Sequence, residues 1–164
     1  MTTSSRAAGR LRCDAVALLL RLGIGSIFLF AGLQKVAGGG VAAIAYFDDL
    51  GVPAPALVAP AIGYLELIGG GSLLIGAATR WLAVLFAIEM MVAIPLARLS
   101  LAASESSITG AFGAVRLEIL VLIAAICLIF LGSGRWSADE LLAASMHSGR
   151  RAARKPADRS DPSL

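Results

Sequence analysis

The chain has 164 residues, of which 58% are hydrophobic and only 15% charged, with a mean hydropathy of +0.84. Soluble domains carry about 25% charged residues, so this composition excludes an ordinary soluble domain and indicates one integral membrane domain. The net charge of +3 decides little by itself; the positions of the charges matter more, and no nucleic-acid partner is expected.

Residues 1–14, MTTSSRAAGRLRCD, form a polar segment with Arg6, Arg10 and Arg12. A first membrane span is predicted over about 15–37. Its apolar run exceeds the roughly 7–15 residues of a signal-peptide core and contains Arg21, so an uncleaved anchor is expected. Arg21, Gly25, Phe28, Gly32 and Lys35 fall at offsets of 0, +4, +7, +11 and +14, which is one helical face.

Residues 38–56 hold the run Gly38–Gly39–Gly40, Gly51, Pro53, Pro55 and the acidic pair Asp48–Asp49, and read as a loop with a short interfacial helix over 41–50. The second span, over about 57–78, has a single charge, Glu66. Gly63, Glu66, Gly70 and Ala77 share one face of it. Small residues admit a neighbouring helix; a carboxylate at this depth costs about 2.5 kcal/mol or more and needs a partner or a proton.

Thr79–Arg80 is almost the whole connection to a third span over about 81–97, which predicts that spans two and three are antiparallel neighbours. That span carries Glu89 and Pro95. Residues 98–113, rich in serine and glycine, read as a second outer loop. The fourth span covers about 114–131, with Arg116 and Glu118 near its start. Two residues make about 200° of helical turn, so Arg116 should face away from Glu118 and snorkel outward. A basic tail over 143–164 is too polar to fold.

The expected fold is therefore all-α, an integral membrane bundle of four helices over residues 15–142. Arginines concentrate in the N-terminal segment, at Arg80, and from Arg135 onward. The positive-inside rule then places both termini in the cytoplasm of a multi-pass protein of the bacterial plasma membrane.

Cys13 and Cys127 are far apart in sequence and form no C-x-x-C; they read as small buried or interfacial residues rather than a disulfide. A lone His147 supports no metal site, and no phosphate loop, zinc spacing or nucleophile elbow is present. What remains is an intramembrane polar set: Arg21, Gln34, Lys35, Glu66, Glu89 and Glu118. At 1.5 Å per residue Arg21 lies about 9 Å from the cytoplasmic edge, Glu89 about 14 Å, Glu66 about 18 Å, Glu118 about 21 Å and Lys35 about 30 Å. These depths pair Arg21 with Glu89 or Glu66, and Lys35 or Gln34 with Glu118. Such a set could line a path for protons or a pocket for a quinone-like head group, or it could be ion pairs that only fix helix packing. Gly25, Gly32, Gly63 and Gly70 are the expected packing positions, and no residue is assigned as catalytic.

Four stretches carry a family resemblance: RLGIGSIFLFAGLQKVAG, FDDLGVPAP, GYLELIGGGSLLIGAATRW and LEILVLIAAICLIFLGSGRWSADE. In that order they resemble DoxX-type membrane proteins over residues 15–142. The resemblance implies a small four-helix bacterial membrane protein. Its DoxD relatives are associated with thiosulfate:quinone oxidoreductase activity, and others with membrane assemblies of redox enzymes. By position, Arg21, Gly25, Gly32, Lys35, Glu66, Gly69, Gly70, Thr79, Arg80, Glu118, Arg135 and Asp139 match the recurring pattern, and Glu89 less closely.

Three readings follow: a quinone-linked redox subunit, a scaffold docking soluble redox enzymes on a cytoplasmic basic face, and a small transporter of protons or a sulfur-containing solute. Without a haem-ligand pair, flavin motif or C-x-x-C, any enzyme role is that of an accessory subunit. The cofactor expectation is none bound covalently, with quinone as the candidate; the partner expectations are the lipid bilayer, soluble redox enzymes and further copies of the chain.

Overall fold

The computed structural model describes residues 3–102, 108–141 and 144–145. The predicted disordered tail over 143–164 lies outside the described residues apart from 144–145, which are helical. Five helices occur in the order α1 (Thr3–Val36), α2 (Val41–Asp49), α3 (Pro55–Ile75), α4 (Thr79–Ala102) and α5 (Ile108–Leu131). Among the described residues three helical stretches are long and apolar enough to cross a membrane, those starting at Leu11, Pro55 and Thr79. With α5, a further apolar helix of 24 residues, they form the all-α membrane bundle.

The N-terminal segment is not separate from the first span. It is the opening of α1, whose 34 residues reach about 51 Å, well beyond a hydrocarbon core of ~30 Å. At the far end Gly38, Gly39 and Gly40 all have positive φ, between 66° and 75°. Three successive residues in the left-handed region reverse the chain at little cost only because all are glycine. The short α2 follows and lies against α3.

The predicted loop over 98–113 is shorter in the structure, since α4 runs on to Ala102 and α5 begins at Ile108. Serine and glycine at helix ends lower helix propensity by less than about 1 kcal/mol each, too little to stop a helix that has a packing partner. Pro95 likewise sits inside α4 without ending it.

α1 packs most extensively on α3, α4 packs on α5, and α1 also touches α5. Glycines bring the first pair together. A Cβ on Gly32 would collide with the backbone of Leu67 and Gly63, and one on Gly70 with the backbone of Leu29 and Gly25. The two helices thus approach backbone to backbone, the small-residue packing expected where lipid gives no hydrophobic drive to association.

The expectation that α3 and α4 are antiparallel neighbours holds near their connecting turn and not along their whole length. They touch little beyond their connecting turn, because a tight turn fixes separation at one end only. Near that end Gly69 receives the Phe86 ring and Leu82; toward the α2 end the helices part.

Candidate intramembrane site

The parting of α3 and α4 leaves a cavity of about 520 Å³ in the half of the bundle nearer α2. Phe28 and Val121 form part of its wall, and Tyr46, Phe47 and Leu50 of α2 cover its end. Leu65 on α3 and Ile88 and Val92 on α4 line it while remaining exposed, so the opening between these helices faces the bilayer side.

Four of the six intramembrane polar candidates line this cavity: Lys35, Glu66, Glu89 and Glu118. Lys35 Nζ donates to both carboxylate oxygens of Glu66 at 2.5 Å. Glu66 is almost fully buried, at 2% exposure. Glu89 Oε2 and Glu118 Oε2 are buried and accept no hydrogen bond. Gln34 is exposed and does not line the cavity. Arg116 is exposed beside half-buried Glu118, as the angular argument requires.

The pairings derived from depth are corrected. Lys35 pairs with Glu66, and Arg21 meets no cavity acid. One rule accounts for both outcomes: every Cα–Cβ bond in a helix tilts toward that helix's N-terminus, and long side chains follow it. Lys35, near the C-terminus of α1, therefore reaches back into the bundle. Arg21, fourteen residues earlier on the same helix, leans the same way and so reaches out of the cavity half, toward the end where the chain begins. Glu66 sits on antiparallel α3 and leans toward Lys35. Depth counted at Cα misses a side-chain reach of several ångströms in a known direction.

Arg21 serves a different structure. It is 1% exposed, and its Nη2 donates to the Trp136 carbonyl at 2.6 Å. Trp136 belongs to the segment after α5, which folds back over the turn joining α3 and α4. That turn starts with a Schellman closure, Gly76 N–H to Leu73 O and Ala77 N–H to Ser72 O. Asp139 then caps α4 from sixty residues away, accepting from Ala78 N–H at 2.7 Å and Thr79 N–H at 3.0 Å. Its own N–H donates to Gly76 O. Ser137 caps the helical turn at 138–141 through the Glu140 N–H, and Asp14 accepts from Arg135 N–H.

Sequence reasoning missed this clasp and the Phe28–Phe86 stack. The S-A-D-E run over 137–140 is a visible capping-box signal, but nothing local shows that Asp139 caps another helix. Cys127, expected to be buried or interfacial, is exposed on the outside of α5, and Cys13 is exposed as well.

Comparison with known proteins agrees with the architecture. Residues 16–99 match the DoxX family. The chain is 33% identical over 131 residues to "Uncharacterized membrane protein Rv3486" of Mycobacterium tuberculosis (strain ATCC 25618 / H37Rv), covering 76% of this chain and 80% of the relative. It is 42% identical over 77 residues to "Putative oxidoreductase CatD" of Bacillus subtilis (strain 168), covering 47% of this chain and 55% of that protein. No solved structure matches it.

Proposed function

Since the chain belongs to the DoxX family of membrane proteins, we propose that it is the membrane subunit of a redox complex and holds a quinone-type head group in the cavity between α3 and α4. One observation carries the reading. A cavity with mostly apolar walls has the Lys35–Glu66 ion pair with Glu89 and Glu118 in its lining and an opening on the bilayer side. A ring on an apolar tail can enter from lipid and turn its polar edge toward that cluster. The similarity to a protein named as an oxidoreductase supports the redox setting.

In this reading Lys35 and Glu66 hold the polar edge of the cavity in place. Glu89, which lines the same cavity and has no cation of its own among the described residues, is in this reading the group that passes a proton to a bound head group or takes one from it. Catalytic electron transfer belongs to a partner enzyme docked on the face that carries Arg80 and Arg135, which this reading places in the cytoplasm.

Binding of decylubiquinone to the protein in lipid nanodiscs tests the proposal. The reading expects saturable binding that falls about tenfold or more in Glu66→Gln, while Gln34→Ala binds as the parent does. Binding that is absent, or unchanged in Glu66→Gln, overturns it.

A further inference from the structure

Gln34 is left out of the cavity, yet it stands deep in the bundle. An added Cβ on Gly32 would meet the backbone of Leu67 and Gly63, and one on Gly63 would meet the Lys35 side chain. Residues 32–35 of α1 are therefore level with residues 63–67 of α3. Gly63 lies eight residues from the Pro55 end of α3, about 12 Å along the helix. With 21 residues, α3 is about 31 Å long, no more than the ~30 Å thickness of a hydrocarbon core. Gln34 thus stands within that core, and its side chain leans toward the start of α1, deeper still.

Gln34 is exposed at this depth, and among the described residues nothing hydrogen-bonds its amide. The amide has one carbonyl and two N–H groups to satisfy, and lipid tails offer neither donor nor acceptor. Its face continues along α1 as Val16, Leu20, Gly23, Ile27, Phe30 and Gln34, at offsets of 0, +4, +7, +11, +14 and +18. Alternating steps of four and three form the seam of two helices wound together. None of the six is buried. An added Cβ on Gly23 would meet nothing within 4 Å, whereas Gly25 and Gly32 are already filled by α3. Gly23 is an open notch on the lipid side.

The amide names the occupant of this face. Copies inserted in one membrane point the same way, so a pair closes about a two-fold axis along the membrane normal. Each residue on the axis then meets its own copy at its own depth. A second chain brings to Gln34 an amide at that depth, and the carbonyl of each accepts from the N–H of the other. An acyl chain could cover the apolar positions but would leave the amide unmet. We propose that two copies of the chain pair through this face of α1, with the Gln34 amides hydrogen-bonded across the axis and the helices closest at Gly23. The pairing is independent of the head-group reading, since residues of one chain line the cavity.

The test is the dimerisation equilibrium of the full chain in liposomes, read by single-molecule photobleaching across a lipid dilution series. A dimer is expected, and Gln34→Leu should raise its dissociation constant about tenfold, as interhelical hydrogen bonds in lipid allow. Ile123→Ala, on the exposed outer face of α5, should leave it unchanged. Cross-linking locates the seam. In a chain carrying Cys13→Ser and Cys127→Ser, Gly23→Cys should give a disulfide-linked dimer on oxidation and Ile123→Cys should not. A chain that stays monomeric at every dilution overturns the proposal. A dimer that Gln34→Leu leaves equally tight overturns it too, as does one that cross-links through Ile123→Cys and not through Gly23→Cys. Gln34→Leu places an apolar side chain against lipid, so its loss of pairing is not a loss of folding.

Discussion

The rings of Phe28 and Phe86 lie face to face, with centroids 3.7 Å apart and planes 8° from parallel. Phe28 stands midway along α1 between Arg21 and Lys35, seven residues from each. Phe86 is fully buried against Gly69. The stack therefore lies as an apolar partition between the cavity, whose wall includes Phe28, and the clasp around Arg21.

Phe86→Ala should lower stability by about 3–5 kcal/mol through lost burial and the cavity it leaves. It should also raise the passive proton leak of proteoliposomes, since the partition is then open. Thermal denaturation in detergent and a pH-dye assay measure the two effects. Destabilisation without leak would show that the stack packs the core but does not divide it.

Lys35 and Glu66 should behave as a pair. Lys35→Met alone leaves a buried carboxylate without its cation and should cost about 3 kcal/mol. Adding Glu66→Gln should recover much of that loss. Denaturation midpoints of the two single variants and the double variant form the cycle, and additive losses would contradict the pairing.

Asp139→Ala removes the acceptor for two N–H groups at the start of α4 and should cost about 0.5–2 kcal/mol. Asp139→Asn retains one side-chain acceptor and should lose less. Hydrogen exchange at Ala78 and Thr79 reads the cap directly: faster exchange is expected in Asp139→Ala, and unchanged rates would mean that Asp139 does not cap this helix.

Gly32→Ala and Gly70→Ala each place a methyl against the backbone of the opposing helix and should cost about 1–3 kcal/mol. Gly71→Ala is the control, because its added Cβ meets only the end of the Leu29 side chain, at 3.9 Å. Equal losses at the three positions would show that propensity, rather than close approach, sets the effect.

The sequence by itself determined the membrane class, the helices and the faces that carry glycine and charge. Each of these is a property of composition or of 3.6-residue periodicity along one helix. Gly25, Gly32, Gly63 and Gly70 were legible as packing positions for that reason, and so were Glu66 and Lys35 as charges at membrane depth. Only the tertiary structure decided which charge meets which. Lys35 and Arg21 share a face, yet one reaches the acids and the other leaves them, because side chains lean toward the start of their own helix and neighbouring helices run in opposite directions. The cavity also belongs to the tertiary structure alone: α3 and α4 are adjacent in the chain, but their separation depends on how closely α1 holds α3 and α5 holds α4. The Asp139 cap likewise joins residues sixty positions apart, and no local pattern encodes a contact of that range.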